Sequence, residues 1–186
     1  MLAEEGYLAF IADLYGEVPE SFDTVGPLAA KLRETPDGYR ARLAAAIATL
    51  RGHPAATGLR LATIGYCLGG QAALEAARDG QDLATAVSFH GLLDTGMPAE
   101  AGAIRARILV CHGDADPMVP REQVTAFWDE MDAAGANWHF HSYSGVRHGF
   151  TDPGSDERDL DAVAYDASAD RQSWAAMLAL FDELFA

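Results

Sequence analysis

The sequence is poor in basic residues: 13 Lys and Arg stand against 28 Asp and Glu in 186 residues, which gives a formal net charge of -15. This negative charge repels phosphate backbones and anionic headgroups, so we expect neither nucleic acid nor a membrane surface as a partner. Long apolar runs are also missing, because no stretch approaches the roughly 18 uninterrupted apolar residues of a membrane span. Residues 1–5 lack the basic region and apolar run of a signal peptide. These absences predict a cytoplasmic protein.

Cysteine is equally scarce, since the chain has only Cys67 and Cys111. Two cysteines cannot build a disulfide framework, and neither has a second cysteine at the spacing of a zinc site. His139 and His141 alternate on one face of a predicted strand, which is a possible metal spacing, but no third ligand is evident. A packed or solvated strand face is the simpler interpretation, and no metal site is predicted.

Strand and helix patterns alternate along the chain, whose 49% apolar and 22% charged residues are typical of a globular protein. Strands are predicted at residues 7–14, 59–64, 83–89, 107–111 and 137–143, and helices at 39–51, 69–78, 121–134 and 170–185. This alternation indicates an α/β fold with a mostly parallel sheet and helices on both faces, in a single domain over residues 1–186. Residues 16–38 are expected to form a loop with a short helix that can cap a pocket.

A Gly-Tyr-Cys-Leu-Gly-Gly motif at residues 65–70 follows one predicted strand and opens a helix. Glycines on both sides of Cys67 allow the sharp turn called a nucleophile elbow, here with sulfur in place of a hydroxyl. The dipole of the following helix favours the thiolate, and the backbone N–H of Leu68 can donate to a developing oxyanion. We therefore predict that Cys67 is a nucleophile; an inert cysteine in an ordinary turn is the alternative.

An acid and a base follow in the order that such a nucleophile requires. Asp114 and Asp116 both come just after the strand at residues 107–111, and either can be a simple turn residue. The position of Asp116 in a Gly-x-x-Asp-x-x-Val-Pro pattern favours it as the acid. His148 lies on a glycine-flanked loop after the strand at residues 137–143, and it completes the chain order nucleophile, acid, histidine. We predict that His148 is the general base.

Three further side chains are expected near the same edge of the sheet. Tyr66 neighbours the nucleophile, His90 ends the strand at residues 83–89, and Phe150 follows the predicted base by two residues. We assign all three to the substrate pocket as a hypothesis, with ordinary packing or loop positions as the alternative.

The motif at residues 65–70, the His-Gly-x-x-Asp-Pro-x-Val-Pro turn and the Arg-His-Gly-Phe loop together resemble the dienelactone hydrolase family. The resemblance runs over nearly the whole chain. It implies an α/β-hydrolase fold, a triad of Cys67, Asp116 and His148, no metal or organic cofactor, and cleavage of lactones or small carboxylic esters. Where family members use arginines to bind the carboxylate of dienelactone, this chain has Glu17 and Asp152, so we expect a neutral ester or lactone.

The resemblance also implies that the sheet is N-terminally incomplete, because the family's early strands precede the region that begins here at Met1. One of those strands would lie between the predicted strands at residues 7–14 and 59–64, and another carries the second oxyanion donor. The gap can be closed by direct pairing, by a longer chain, or by another copy through oligomerisation or strand exchange.

Three functions are compatible with these features. The first is a thiol-dependent hydrolase of small neutral esters or lactones, for which activated phosphotriesters are side substrates because the same donors can hold a phosphoryl oxygen. The second is a catalytically silent, truncated hydrolase module that needs a missing strand or a partner chain. The third is a redox-sensing thiol protein that uses Cys67.

Overall fold

Four parallel strands form one sheet in the order β1-β2-β3-β4. The computed structural model describes residues 2–19 and 22–186, and the chain forms two compact units, Met1–Leu59 and Arg60–Ala186. All four strands belong to the second unit. They are β1 (Ala62–Tyr66), β2 (Thr85–Phe89), β3 (Arg107–Gly113) and β4 (Trp138–Tyr143). The prediction of a single domain stays a prediction.

Helices precede and separate the strands. They are α1 (Phe22–Arg33), α2 (Pro36–Gly52), α3 (Leu68–Arg78), α4 (Arg121–Ala133) and α5 (Ala167–Phe185). Two short 3₁₀ helices occupy Pro54–Ala56 and Pro153–Glu157. The second of these lies in the acidic segment between β4 and α5, and α5 begins where the Asp166 carboxylate accepts hydrogen bonds from the N–H groups of Ser168 and Ala169. The predicted α/β class with a mostly parallel sheet is confirmed.

Burial along the strands follows their place in the sheet. All five residues of β2 are buried, as expected for an inner parallel strand covered on both faces. On β4, which has a paired strand on one side only, exposed His139 and His141 alternate with half-buried residues. The two histidines therefore lie on a solvated strand face.

Helices cover opposite faces of the sheet. Ser88, Val110 and Phe140 share one register row, where Ser88 meets α3 at Gly70 and Phe140 packs against Phe127 of α4. The next row along the strands points to the other face. There, Tyr66 stacks on Phe89 with ring centroids 4.7 Å apart, and burial together with the nearby Asp170 carboxylate of α5 raises the pKa of Tyr66.

The described residues of the first unit contain α1 and α2 but no strand of the sheet. The prediction of a buried strand at residues 7–14 is wrong: residues 7–13 form no strand, and Leu8, Phe10 and Ile11 are 47%, 47% and 93% exposed. An apolar run becomes a buried strand only when neighbouring strands satisfy its backbone and a second layer covers it. The sheet of the described residues gives this segment no such partner.

The short helix predicted within residues 16–38 is confirmed, since α1 covers Phe22–Arg33. Among the helices of residues 2–19 and 22–186, none combines the length and apolar character needed to cross a membrane.

Candidate active site

The turn between β1 and α3 holds Cys67 in a strained backbone conformation, with φ of +52°. Gly65 is required there, because a Cβ atom at this position would lie 2.0 Å from the carbonyl oxygen of Gly69. Gly70 is required as well, since its Cβ would lie 2.6 Å from the Ser88 hydroxyl. Gly69 faces open space, so the second glycine of the Gly-x-Cys-x-Gly pattern is not needed for close approach. The Cys67 side chain remains exposed and can meet a substrate.

The acid turn and the base loop are held together beyond the ends of β3 and β4. The N–H groups of Asp114 and Ala115 donate to the carbonyls of Tyr143 and Val146, both at 2.9 Å. Gly113 lies so close to Val146 that a Cβ atom would meet its carbonyl oxygen at 2.5 Å. These backbone contacts fix the two loops relative to each other independently of their side chains.

Asp116 and His148 form a buried pair. Nδ1 of His148 lies 2.7 Å from Oδ2 of Asp116, and the two residues are 4% and 3% exposed. The other carboxylate oxygen of Asp116 accepts a hydrogen bond from the N–H of Met118 at 2.8 Å. Asp114 instead forms an ion pair with Arg121 at 2.7 Å. The structure therefore brings Asp116, and not Asp114, to the histidine.

Cys67 and His148 shift each other's ionisation in opposite directions. Desolvation alone would raise the pKa of the Cys67 thiol, but the His148 ring and the Leu68 N–H outweigh it, so the pKa is lowered. Desolvation alone would lower the pKa of His148, but Asp116 and Cys67 raise it to about 9. Nε2 of His148 has no hydrogen-bond partner among the described residues, so a direct hydrogen bond between this ring and the Cys67 sulfur is not formed here. Catalytic hydrogen bonds are often loose before substrate binds.

Leu68, predicted as the oxyanion donor, begins α3 directly after Cys67. Its backbone N–H lies on the same side as the sulfur, because it is one of the groups that lower the pKa of the thiol. A donor that stabilises a thiolate here can also reach an oxyanion that forms beside the sulfur.

His90 lies against Cys67 in the core of the site and is only 4% exposed. Its Nδ1 accepts a hydrogen bond from the backbone N–H of Cys67 at 3.2 Å, and its Nε2 lies 2.9 Å from the Thr151 hydroxyl. Burial and the nearby His148 lower the pKa of His90 to about 3. No sequence pattern predicts the contacts of His90 with Cys67 and Thr151, because they join loops that are distant along the chain.

The other two predicted pocket residues differ in exposure. Tyr66 is 38% exposed beside Cys67, whereas Phe150 is fully buried and packs edge-on against His90 and Tyr143 at 5.2 and 5.6 Å. The assignment of Tyr66, His90 and Phe150 to a substrate pocket stays a prediction.

Asp152 is not an isolated negative charge. Its carboxylate pairs with Arg158 at 2.6 Å and accepts a hydrogen bond from the Gly154 N–H, and both contacts contribute to lowering its pKa. Its repulsion of an anionic substrate is therefore weaker than the sequence suggests. Within residues 2–19 and 22–186, no group of three His, Cys, Asp or Glu side chains is arranged to hold a metal ion.

A parallel sheet with a cysteine at a strand–helix elbow and an Asp–His pair on the following loops defines an α/β-hydrolase. The chain belongs to the dienelactone hydrolase family, whose model matches residues 1–185.

Three relatives illustrate the match. The solved structure named m3DLH is 40% identical in sequence to this chain and superposes with a TM-score of 0.93. The match covers this whole chain and 78% of the m3DLH chain. A dienelactone hydrolase-like promiscuous phosphotriesterase from metagenomic libraries is 35% identical over 89% of this chain and 70% of its own, with a TM-score of 0.82. A probable 2-oxo-3-(5-oxofuran-2-ylidene)propanoate lactonase of Bradyrhizobium is 28% identical over 80% of this chain and 64% of its own length.

Proposed function

We propose that the chain hydrolyses small neutral carboxylic esters or lactones through a covalent intermediate on Cys67, with His148 and Asp116 completing the triad. The observation that carries the proposal is the geometry of the site: Cys67 lies at the strand–helix elbow with φ of +52°, and Nδ1 of His148 lies 2.7 Å from Oδ2 of Asp116. The direction of the ionisation shifts agrees with it, since the pKa of Cys67 is lowered, while that of His148 rises to about 9. A thiolate–imidazolium pair at neutral pH is the activated form of a cysteine nucleophile.

In the first half of the reaction, the Cys67 thiolate attacks the carbonyl carbon, and the oxyanion is held by the Leu68 N–H. The tetrahedral intermediate collapses as His148 gives its proton to the leaving alkoxide, which leaves an acyl thioester on Cys67. In the second half, His148 takes a proton from water, and the resulting hydroxide attacks the thioester. The acid leaves, and the thiolate and imidazolium are restored. Asp116 holds the ring tautomer and stabilises its positive charge.

The preference for neutral substrates rests on the formal charge of -15 and on the acidic residues where the family binds a carboxylate. Because Arg158 partly neutralises Asp152, the net charge is now the stronger of the two arguments. The lactonase relative supports lactones as one substrate class, but the lactone in its name carries a carboxylate, so it does not support the preference for neutral substrates. The free Cys67 and Cys111 thiols fit a reducing compartment, so the cytoplasm remains the proposed location.

Hydrolysis of activated phosphotriesters is a second candidate activity, and the phosphotriesterase relative favours it. The thiolate would attack phosphorus and expel an aryloxide, while the donors that hold a carbonyl oxyanion hold the phosphoryl oxygen. A phosphorylated cysteine must then be hydrolysed for turnover.

Turnover of p-nitrophenyl acetate before and after Cys67→Ala tests the proposed function. We expect the variant to lose turnover, while the matched variant Cys111→Ala keeps it, because Cys111 is a fully buried strand residue. Equal rates in Cys67→Ala and the parent protein would reject the assignment. Rapid reversible oxidation of Cys67 without any ester turnover would favour the redox-sensing alternative. An inactive parent whose Cys67 reacts slowly would favour the silent module.

A further inference from the structure

His90 adopts a backbone conformation that histidine seldom adopts. Its φ is +40°, and Cys67 is the other non-glycine residue with positive φ among residues 2–19 and 22–186. A non-glycine residue in this left-handed region of backbone conformation destabilises the folded state by about 1 kcal/mol or more, and such strained residues are concentrated at functional sites. The two strained residues are also hydrogen-bonded to each other, which indicates that they form one structural unit.

The hydrogen bonds of the His90 ring define its tautomer. The Cys67 N–H donates to Nδ1 at 3.2 Å and is shared with the Phe89 carbonyl at 3.1 Å. Nδ1 must therefore be unprotonated, so the ring proton lies on Nε2 and can donate to the Thr151 hydroxyl at 2.9 Å. The ring thus connects the nucleophile turn to the loop that carries His148.

The surroundings of His90 favour a neutral ring. His148 lies edge-on with ring centroids 5.0 Å apart, Phe150 packs at 5.2 Å, and the negative charges of Asp116 and Asp152 offset only part of the effect of burial and of His148 on the ring. A second positive charge beside the His148 imidazolium would be repelled, and a protonated Nδ1 would oppose the Cys67 N–H. A neutral His90 avoids both conflicts.

Resting on the proposed function, we propose that His90 is a positioning residue: it holds the peptide of Cys67 in its strained conformation and, through Thr151, fixes the nucleophile relative to the base loop. It does not contact the reacting atoms in this role. The role differs from that of a pocket residue, which would contact the substrate and affect mainly KM.

Four variants test the proposal. His90→Leu removes both ring hydrogen bonds, whereas His90→Asn restores an acceptor near the Nδ1 position and tolerates positive φ. Thr151→Val removes only the partner of Nε2. His112→Leu is the matched control, because His112 is 2% exposed and neither of its ring nitrogens has a hydrogen-bond partner among the described residues.

Two quantities are measured for each variant: KM, and the acylation rate per competent site. The number of competent sites is counted from the burst of p-nitrophenol. We expect His90→Leu to lower the acylation rate about 10- to 100-fold, the scale of a small misplacement of reacting groups, with little change in KM. His90→Asn should recover part of the loss, and Thr151→Val should lose less than His90→Leu. His112→Leu should change the number of competent sites but not the rate per site.

A parent-like rate per site in His90→Leu, or an equal loss in His112→Leu, would overturn the proposal. If His90→Leu does not fold, a parent-like acylation rate together with a parent-like rate of Cys67 alkylation in Thr151→Val would also overturn the proposal. Failure of the proposed function has a different signature, since Cys67→Ala would then keep turnover. Iodoacetamide alkylation of Cys67 gives a readout that needs no ester turnover, and it should slow in His90→Leu but not in His112→Leu.

Discussion

The site consists of two halves that are stabilised by different forces. The nucleophile half comprises residues 65–70 and His90, and it is held by glycine contacts and neutral hydrogen bonds. The acid–base half comprises residues 113–118 and 146–151, and a buried carboxylate–histidine pair lies at its centre. Each half contains a buried histidine, and the two rings are 5.0 Å apart, yet the pKa of His90 is about 3 and that of His148 about 9.

The difference shows that burial alone does not determine the charge of a histidine. Desolvation lowers the pKa of both rings. His148 overcomes it because Asp116 faces one side of the ring and Cys67 the other, while His90 receives the Cys67 N–H and faces a hydroxyl. The partners of the ring nitrogens therefore favour a charged His148, as the proposed proton transfer requires, and a neutral His90, as the proposed positioning role requires.

Removing the negative charge of Asp116 from the acid–base half should give the largest loss of activity. Asp116→Asn keeps the shape of the side chain but no longer stabilises the His148 imidazolium, so we expect kcat to fall on the order of 10⁴-fold, as in comparable triads. The pH dependence of the remaining activity should also shift, because the pKa of His148 falls. Steady-state hydrolysis of p-nitrophenyl acetate from pH 5 to 10 measures both.

Asp114→Asn is the control for that variant, since it removes a carboxylate from the same turn that pairs with exposed Arg121. Exposed ion pairs contribute about 0–1 kcal/mol to stability, so little change in kcat is expected. Equal losses of kcat in Asp116→Asn and Asp114→Asn would mean that the total negative charge of the turn matters, and not the contact between Asp116 and His148.

Packing in the nucleophile half can be broken with one methyl group. Gly65→Ala places a Cβ atom on the Gly69 carbonyl, so we expect a loss of about 1–3 kcal/mol in the free energy of unfolding, as for other overpacked sites, with a displaced nucleophile. Urea unfolding and the burst amplitude measure the two effects. Gly69→Ala points into open space and should preserve both quantities. Similar behaviour of the two variants would contradict the close packing described for the elbow.

The prediction that concerns activity least separates the two histidines by pH, through the stability of the fold. Between pH 3 and 6.5 the unfolded chain binds a proton at His90 that the folded chain does not, so stability should rise with pH by up to about 1.4 kcal/mol per unit. His148 has the opposite sign: its contribution is complete below pH 6.5 and is lost as the pH rises through 9. His90→Asn should therefore flatten the acid limb of the stability profile, whereas His148→Gln should keep it. An unchanged acid limb in His90→Asn would show that His90 is charged in the folded protein.

Much of the second unit could be predicted from the sequence, because its signals are local. Alternating strand and helix patterns located β1–β4 and α3–α5 to within a few residues, and their parallel order follows from those patterns. The pairing of Asp116 with His148 is the geometry that their chain order predicts. Predictions failed where the outcome depends on distant partners: residues 7–13 form no strand, and Gly69 has open space around it. The role proposed for His90 likewise rests on contacts that only folding creates.

The most direct test of the account is to locate the acyl group during turnover. The protein is mixed with p-nitrophenyl acetate, quenched with acid within the burst, digested and analysed by mass spectrometry. The account predicts a thioester on the peptide that contains Cys67, present in the parent protein and in Cys111→Ala and lost in Cys67→Ala. Turnover with the acyl group on another residue, or undiminished turnover in Cys67→Ala, would contradict the assignment of Cys67 as the nucleophile.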